Sequence, residues 1–120
     1  MEIFIMRNIK ISCVIPTCDR NNLLIETLNS VLSQTSLPDE IIIVNNGDQK
    51  LDLPLNKNVN IKIYNIIKYV GVAQALNFGV NISKGNYIAF LEDDDLWEQN
   101  YIKNIRESIE TNYSVYVSRI

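Results

Sequence analysis

The sequence predicts an α/β protein, with a mostly parallel sheet and helices on both faces. Two observations support this fold class. Short apolar runs alternate along the chain with segments in which apolar residues recur at helical spacing, and this alternation is typical of parallel sheets. The run from Ile41 to Val44 contains only isoleucine and valine, which favours a central strand covered on both sides.

The elements are expected in the order β-α-β-β-α-β-α-β, without internal repeats or a linker. Pro16 is expected to stop the first strand. Gly79 is expected to let the second helix approach the sheet closely, and Gly85 to take the left-handed conformation that ends this helix. Strands are predicted over residues 10–15, 40–44, 59–67, 87–91 and 113–118, and helices over residues 23–34, 72–83 and 98–112.

The composition argues against several classes of function. The net charge is −3 and the basic residues are scattered, so we expect no nucleic-acid partner. The first five residues are too few and too acidic for a signal peptide or a spanning helix, so we expect no stable membrane insertion and a cytoplasmic location. The chain has no histidine, which excludes imidazole bases and histidine-based zinc sites. Cys13 and Cys18 are predicted to be free thiols.

Four consecutive carboxylates, Glu92 to Asp95, follow the predicted strand 87–91. Adjacent carboxylates repel one another unless a cation lies between them, so this run favours a divalent metal site. Ligands of parallel sheets bind beyond the carboxyl ends of the strands, and residues 17–20, 45–48 and 92–95 should therefore converge. The alternative for the acidic run is a solvated loop in which Asp95 caps the third helix.

Four segments in this order resemble a known family. They are Ile15-Pro16-Thr17 with Arg20, Val44-Asn45-Asn46-Gly47-Asp48, the helix carrying Gly71, Ala75, Asn77 and Gly79, and Gly85 to Asp95. Over residues 9–117 they resemble the amino-terminal, nucleotide-sugar-binding half of family 2 glycosyltransferases, which are inverting enzymes. The resemblance implies a GT-A fold, in which this half is Rossmann-like.

The resemblance also implies roles for individual residues. Glu92 and Asp94 occupy the two acidic places of the family's DXD motif, which implies that they bind Mn²⁺ or Mg²⁺ across the diphosphate of the donor, with Asp94 as the direct ligand. The donor implied is a nucleoside-diphosphate sugar, a UDP-sugar by preference. The residues implied to contact it are Pro16, Thr17, Cys18, Asp19, Arg20, Asn45, Asn46, Asp48, Asn77 and Asp93.

Some of these residues have simpler interpretations. Asn45 and Asn46 stand where the family usually has two aspartates, so a bound base would meet amide donors as well as acceptors. Asp48 stands where the family has serine. Residues 45–48 could form only a tight turn, Thr17 and Asp19 could only cap a helix, and Arg20 could be an ordinary surface charge. We predict that Trp97 is a packing anchor beside the acidic run.

The family's catalytic base normally lies in a second half of the domain that this chain does not reach. We therefore expect a single truncated domain, residues 1–120, that binds the sugar donor of a metal-dependent glycosyltransferase with an unknown acceptor. The alternative is a non-catalytic nucleotide-sugar-binding remnant, or a homo-oligomer whose second copy covers the missing half. A receiver-like phosphoryl-transfer domain is a third hypothesis, for which Asp19 is a poor nucleophile because it lies beyond Pro16.

Overall fold

Four strands and three helices make up the part of the chain that the computed structural model describes, residues 8–54 and 58–110. Every element predicted within these residues is present, with bounds shifted by a few positions. The strand predicted over 113–118 lies outside the described residues. The elements are β1 (Ile11–Thr17), α1 (Asn21–Leu32), β2 (Glu40–Asn45), β3 (Ile61–Asn65), α2 (Val72–Ile82), β4 (Tyr87–Phe90) and α3 (Tyr101–Glu110).

The sheet has the strand order β3-β2-β1-β4, and every neighbouring pair is parallel. The fold class predicted from the sequence is therefore confirmed. β1 and β2 lie in the middle of the sheet and are buried along their whole length. Ile15 of β1 lies opposite Ile43 of β2, so the apolar run that predicted a central strand is packed between two other strands.

Side chains of the central strands alternate between two apolar cores, one on each face of the sheet. Cys13, Ile15 and Ile43 point into a core that also contains Leu24 and Leu28 of α1 and Ile102 of α3. Val14, Ile42 and Val44 point into a second core, closed by Ala75 of α2. Helices therefore cover both faces, as the uninterrupted apolar pattern of β2 predicts.

Helix α2 lies unusually close to the sheet at Gly79. A Cβ atom built on this residue would fall far inside the van der Waals radius of Val14 Cγ1 and would lie 3.3 Å from Val44 Cγ2. The absence of a side chain is what allows this approach. The packing role predicted for Gly79 is confirmed.

Two boundary predictions are wrong, and both concern residues that punctuate secondary structure. β1 continues through Pro16 to Thr17. Its pairing with β4 ends at Val14 opposite Phe90, so Pro16 lies where one side of the strand has no ladder to interrupt.

The second wrong prediction concerns the end of α2. The helix ends at Ile82, the backbone of the following Ser83 is extended, and Gly85 does not have a positive φ. Gly85 instead allows close approach of two segments, because a Cβ there would lie 2.5 Å from Ser12 Oγ and 2.7 Å from the Lys10 carbonyl oxygen.

None of the helices in residues 8–54 and 58–110 is long and apolar enough to cross a membrane.

Candidate functional site

The loops that follow β1, β2 and β4 meet at the carboxyl edge of the sheet. Thr17, at the end of β1, contacts Asp93, and Asp19 contacts the backbone of Asp48. Arg20 lies against Asp94. The predicted convergence of residues 17–20, 45–48 and 92–95 is confirmed, and it follows from the parallel order of three neighbouring strands.

A cleft of about 490 Å³ opens between these loops. Its size falls within the range of ordinary small-molecule sites. Six of the ten residues predicted to contact the donor line this cleft, and so does one of the two predicted metal ligands. Three further lining residues come from the loop after β3 and the start of α2. The lining residues are Pro16, Thr17, Cys18, Arg20, Asn46, Tyr69, Gly71, Val72, Glu92 and Asp93.

Asp93 is the buried carboxylate of this cleft, with only 8% of its surface exposed. The Thr17 hydroxyl donates a hydrogen bond of 2.9 Å to Asp93 Oδ2, and Arg20 Nη1 lies 3.5 Å from Asp93 Oδ1. A buried carboxylate is costly unless it is hydrogen-bonded and paired with a cation. Both conditions are met here, so Asp93 is held as a buried carboxylate among the residues that line the cleft.

The backbone of the acidic loop is held by α1 rather than by its own charges. Thr27 Oγ1 lies 3.0 Å from the carbonyl oxygen of Asp93 and 2.7 Å from that of Asp95. Asp95 does not cap α3, because this helix begins only at Tyr101. Trp97 is 5% exposed and stacks on Tyr101 with ring centroids 4.7 Å apart, so its predicted role as a packing anchor is confirmed.

Three carboxylates of this loop form a possible metal site. Oxygen atoms of Glu92, Asp94 and Asp95 all lie within 4.8 Å of one another. An all-oxygen set of this kind suits hard cations such as Mg²⁺, Mn²⁺ or Ca²⁺. The sequence had indicated Glu92 and Asp94 as metal ligands, and the structure adds Asp95 to this group.

Asp19 ties the loops together. Its backbone is left-handed, with φ 53°, and its carboxylate accepts hydrogen bonds from the backbone N–H groups of Asp48 (2.7 Å) and Gln49 (2.9 Å). The hydroxyl of Tyr69 donates a third, of 2.7 Å. The alternative in which Thr17 and Asp19 only cap a helix is wrong, because the N-cap residue of α1 is Arg20 and the N–H of Asn21, the first residue of this helix, donates to Gln49 Oε1 (3.2 Å).

Tyr69 is a residue that the sequence pattern did not single out. It also has a left-handed backbone, with φ 62°, and its N–H donates to the carbonyl oxygen of Asn46. Its exposed ring forms one wall of the cleft, next to Gly71, whose φ is 100°. Gly71 was a usable signal, since a glycine before a helix marks a special turn, but nothing local distinguishes Tyr69 from other surface tyrosines.

The polar residues after β2 divide into two kinds. Asn45 builds the turn: its Oδ1 accepts from the Gly47 N–H at 3.0 Å, and its Nδ2 donates to Asn65 Oδ1 at 3.0 Å. Asn46 lines the cleft. Asp48 is exposed and forms an ion pair with Lys68. The tight-turn interpretation therefore describes Asn45 well, whereas Asn46 faces the space where a ligand would lie.

Asn77 is placed apart from this group. It is exposed on α2, on the side of the helix opposite the buried Ala75, and it is not one of the described residues that line the cleft. The structure thus brings the loop residues together but leaves Asn77 outside the cleft. The two cysteines within the described residues are free thiols, as predicted.

The hydrogen bond between Tyr69 and Asp19 lowers the pKa of the Asp19 carboxyl and raises the pKa of the Tyr69 phenol from 10.0 to about 12. Asp19 therefore adds stability above its unfolded pKa, and this is lost as the pH falls through its lowered folded value. Tyr69 adds stability below pH 10.0, and this is lost as the pH rises to about 12. Both side chains therefore contribute their full stabilisation between the unfolded pKa of Asp19 and pH 10.0.

We predict that Asp19→Asn brings the pKa of Tyr69 back towards 10.0, because the phenol then donates to a neutral amide. The measurement is an NMR titration of ¹³C-labelled tyrosine rings, with Tyr69→Phe to identify the signal. An unchanged pKa of Tyr69 in Asp19→Asn would show that the two side chains do not interact in solution.

Comparison with known proteins agrees with this geometry. The model of the family described as Glycosyl transferase family 2 matches residues 12–120. The chain is 34% identical over 116 residues to an uncharacterized glycosyltransferase of Rickettsia bellii, covering 93% of this chain and 17% of that protein. It is 37% identical over 105 residues to the uncharacterized glycosyltransferase YwdF of Bacillus subtilis, covering 85% of this chain and 39% of that protein.

Solved structures show the same fold. TarS of S. aureus superposes with a TM-score of 0.72 at 19% identity, covering 85% of this chain and 20% of that one. A shorter form of TarS, residues 1–349, was solved in complex with UDP-GlcNAc and superposes with a TM-score of 0.71, covering 31% of that chain. The mannosyltransferase PcManGT of Pyrobaculum calidifontis, in complex with GDP-Man and Mn²⁺, gives a TM-score of 0.63 at 17% identity, covering 76% of this chain and 29% of that one.

The chain thus spans between about a sixth and two fifths of the length of these relatives. The family model covers all but the first eleven residues of the chain. The elements it covers form the parallel sheet and the cleft described above. The chain belongs to glycosyl transferase family 2.

Proposed function

We propose that this chain is the donor-binding part of a metal-dependent glycosyltransferase, which takes a sugar from a nucleoside-diphosphate sugar, with UDP as the preferred nucleotide. The observation that carries the proposal is the arrangement of Asp93 and the acidic group at the carboxyl edge of the sheet. One buried, fixed carboxylate lines the cleft, and three further carboxylates with clustered oxygens stand beside it.

The cleft offers distinct environments for the parts of such a donor. Asn46, the Tyr69 ring and Val72 form a partly apolar wall suited to a base, which the amide of Asn46 could recognise through hydrogen bonds. Glu92 and Arg20 supply charges at the other lining positions. Support for UDP comes from TarS, which was solved with UDP and with UDP-GlcNAc.

The donor set of Glu92, Asp94 and Asp95 fits Mn²⁺ or Mg²⁺, and a cation held there would neutralise the diphosphate as it leaves. Support comes from PcManGT, which was solved with Mn²⁺ and GDP-Man. The chain's own residues do the remaining work of binding. Thr17 orients Asp93, Thr27 fixes the path of the acidic loop, and Asp19 holds the loop after β2 in place.

A second candidate is a non-catalytic nucleotide-sugar-binding domain, single and truncated, that pairs with another copy of itself. Exposed apolar side chains favour it: Phe90 of β4, which is an edge strand within residues 8–54 and 58–110, is 49% exposed, and Leu96 is 54% exposed. Light scattering tests this alternative, because a monodisperse monomer would exclude obligatory pairing. We also propose a reducing compartment, the cytoplasm, since Cys13 and Cys18 are free thiols.

Thermal unfolding in the presence of UDP and Mn²⁺ tests the leading proposal. A ligand at a hundred times its Kd stabilises a protein by about 2.7 kcal/mol, which for a domain of this size raises Tm by roughly 10 °C. We expect UDP and Mn²⁺ together to raise Tm by more than the sum of the increases that each ligand produces alone. No stabilisation by UDP, GDP or their sugar conjugates, with or without Mn²⁺ or Mg²⁺, would contradict the proposal.

A further inference from the structure

Arg20 lies between two carboxylates of the acidic loop. Its Nη1 atom is 3.2 Å from Asp94 Oδ2 and 3.5 Å from Asp93 Oδ1. Arg20 also lines the cleft. Its side chain is 52% exposed, so it can leave the carboxylates without disturbing either apolar core.

Asp94 therefore has two alternative partners. Its carboxylate hydrogen-bonds Arg20, and it is also one of the three carboxylates whose oxygens cluster within 4.8 Å. A divalent cation and a guanidinium on the same carboxylate repel each other, even in a medium as polar as water. The two partners are thus in competition for Asp94.

A nucleoside diphosphate changes that balance. A guanidinium forms its best hydrogen bonds with phosphate and carboxylate groups, in a planar two-pronged geometry. A diphosphate in the cleft would offer Arg20 a replacement for Asp94, and its own charge would attract a divalent cation to the carboxylates that Arg20 leaves.

We propose that Arg20 is an internal counter-ion that exchanges partners during donor binding. It neutralises Asp93 and Asp94 in the free protein, then moves to the diphosphate and leaves Asp94 to the divalent cation. Binding of the metal and binding of the nucleotide are thereby coupled through one side chain. This inference rests on the proposed function and specifies how its site is regulated.

A purely structural role for Arg20 predicts that its removal changes the Mn²⁺ affinity in the opposite direction. If Arg20 only kept the acidic loop in shape, its removal would disorder the carboxylates and weaken metal binding. The contacts of Thr27 with the loop backbone and of Thr17 with Asp93 do not involve Arg20, so we expect the carboxylates to keep their places without it.

The test is Mn²⁺ affinity without nucleotide, measured by the EPR signal of free Mn²⁺, for the wild type and Arg20→Gln. We expect Arg20→Gln to bind Mn²⁺ at least about threefold more tightly, because one ion pair and one repulsion are removed. UDP should bind this variant at least about threefold more weakly in the presence of EDTA. Lys103→Gln is the control, since Lys103 is an exposed cation on α3 outside the cleft.

A second variant covers the case in which Arg20→Gln does not fold. Asp94→Asn should bind UDP more tightly than the wild type in EDTA, because Arg20 then loses its competing carboxylate. Unchanged or weaker Mn²⁺ binding by folded Arg20→Gln, or unchanged UDP binding by Asp94→Asn in EDTA, would overturn the exchange while leaving the donor site intact. If neither Mn²⁺ nor UDP binds the wild type, the proposed function itself fails.

Discussion

Replacing Gly79 by alanine is expected to lower the free energy of unfolding by about 2–3 kcal/mol. Helix propensity alone predicts the reverse, because alanine is favoured over glycine inside a helix by about 1 kcal/mol. The steric effect is larger here. The new methyl group would overlap Val14 and crowd Val44, and α2 would have to move away from a sheet that it helps to bury.

Urea unfolding followed by circular dichroism measures this effect. Gln74→Ala is the matched control, because Gln74 is exposed on the same helix and its change to alanine should have little effect or stabilise slightly. In a Val14→Ala background, Gly79→Ala should cost less stability than it does in the wild type if the overlap with Val14 is its cause. A Gly79→Ala protein as stable as the wild type would show that Gly79 of α2 does not lie against Val14 of β1 in solution.

Replacing Asp94 by asparagine is expected to weaken Mn²⁺-dependent binding of UDP by about 10- to 100-fold. Loss of a group that only supports a metal ligand already costs this much, and Asp94 is proposed to be a ligand itself. The variant should fold normally, because Asp94 is exposed and the loop backbone is held by Thr27. The effect should therefore be chemical rather than structural.

Isothermal titration calorimetry with UDP, at saturating Mn²⁺ and again in EDTA, measures this prediction. Asp52→Asn is the control, since Asp52 is an exposed carboxylate that does not line the cleft. We expect Asp94→Asn to abolish most of the difference in UDP affinity between saturating Mn²⁺ and EDTA. Asp52→Asn should preserve this difference. Equal Mn²⁺ enhancement in both variants would remove Asp94 from the metal site.

The fold could be predicted well because its central strands carry one dominant signal. The Ile41–Val44 run has no polar face, so only a position between two apolar layers can accommodate it. The layers follow from helices such as α1, whose buried residues recur at helical spacing. Burial of this kind depends on composition and period, and both can be read directly from the chain.

Residues that break patterns were harder to interpret. Gly85 has the same sequence signature whether it ends a helix in the left-handed conformation or admits a neighbouring backbone, and the structure shows the second case. Pro16 was read as a strand end, but its effect depends on whether β4 still pairs with β1 at that position. Such choices depend on tertiary neighbours that a single sequence does not reveal.

The site shows the same division. Its location followed from the topology, since polar residues after three parallel strands must meet. The contacts that each side chain makes within the site did not follow from the topology. Asp19 uses its carboxylate on Asp48, Gln49 and Tyr69, and Tyr69 comes from a loop fifty residues farther along the chain. A partner at that distance leaves no local pattern.

The hydrogen bond between Thr17 and Asp93 has a consequence for the order in which parts of the nascent chain fold. The two residues are 76 positions apart, and a ribosome adds residues at about 5–20 per second, so roughly 4 to 15 seconds separate their synthesis. During that interval β1, α1 and β2 can already associate, whereas β1 still lacks its neighbour β4. The cleft is therefore completed late, and a nascent chain that stalls before residue 93 lacks the Asp93 carboxylate as well as Trp97 and Ile102 of the first apolar core.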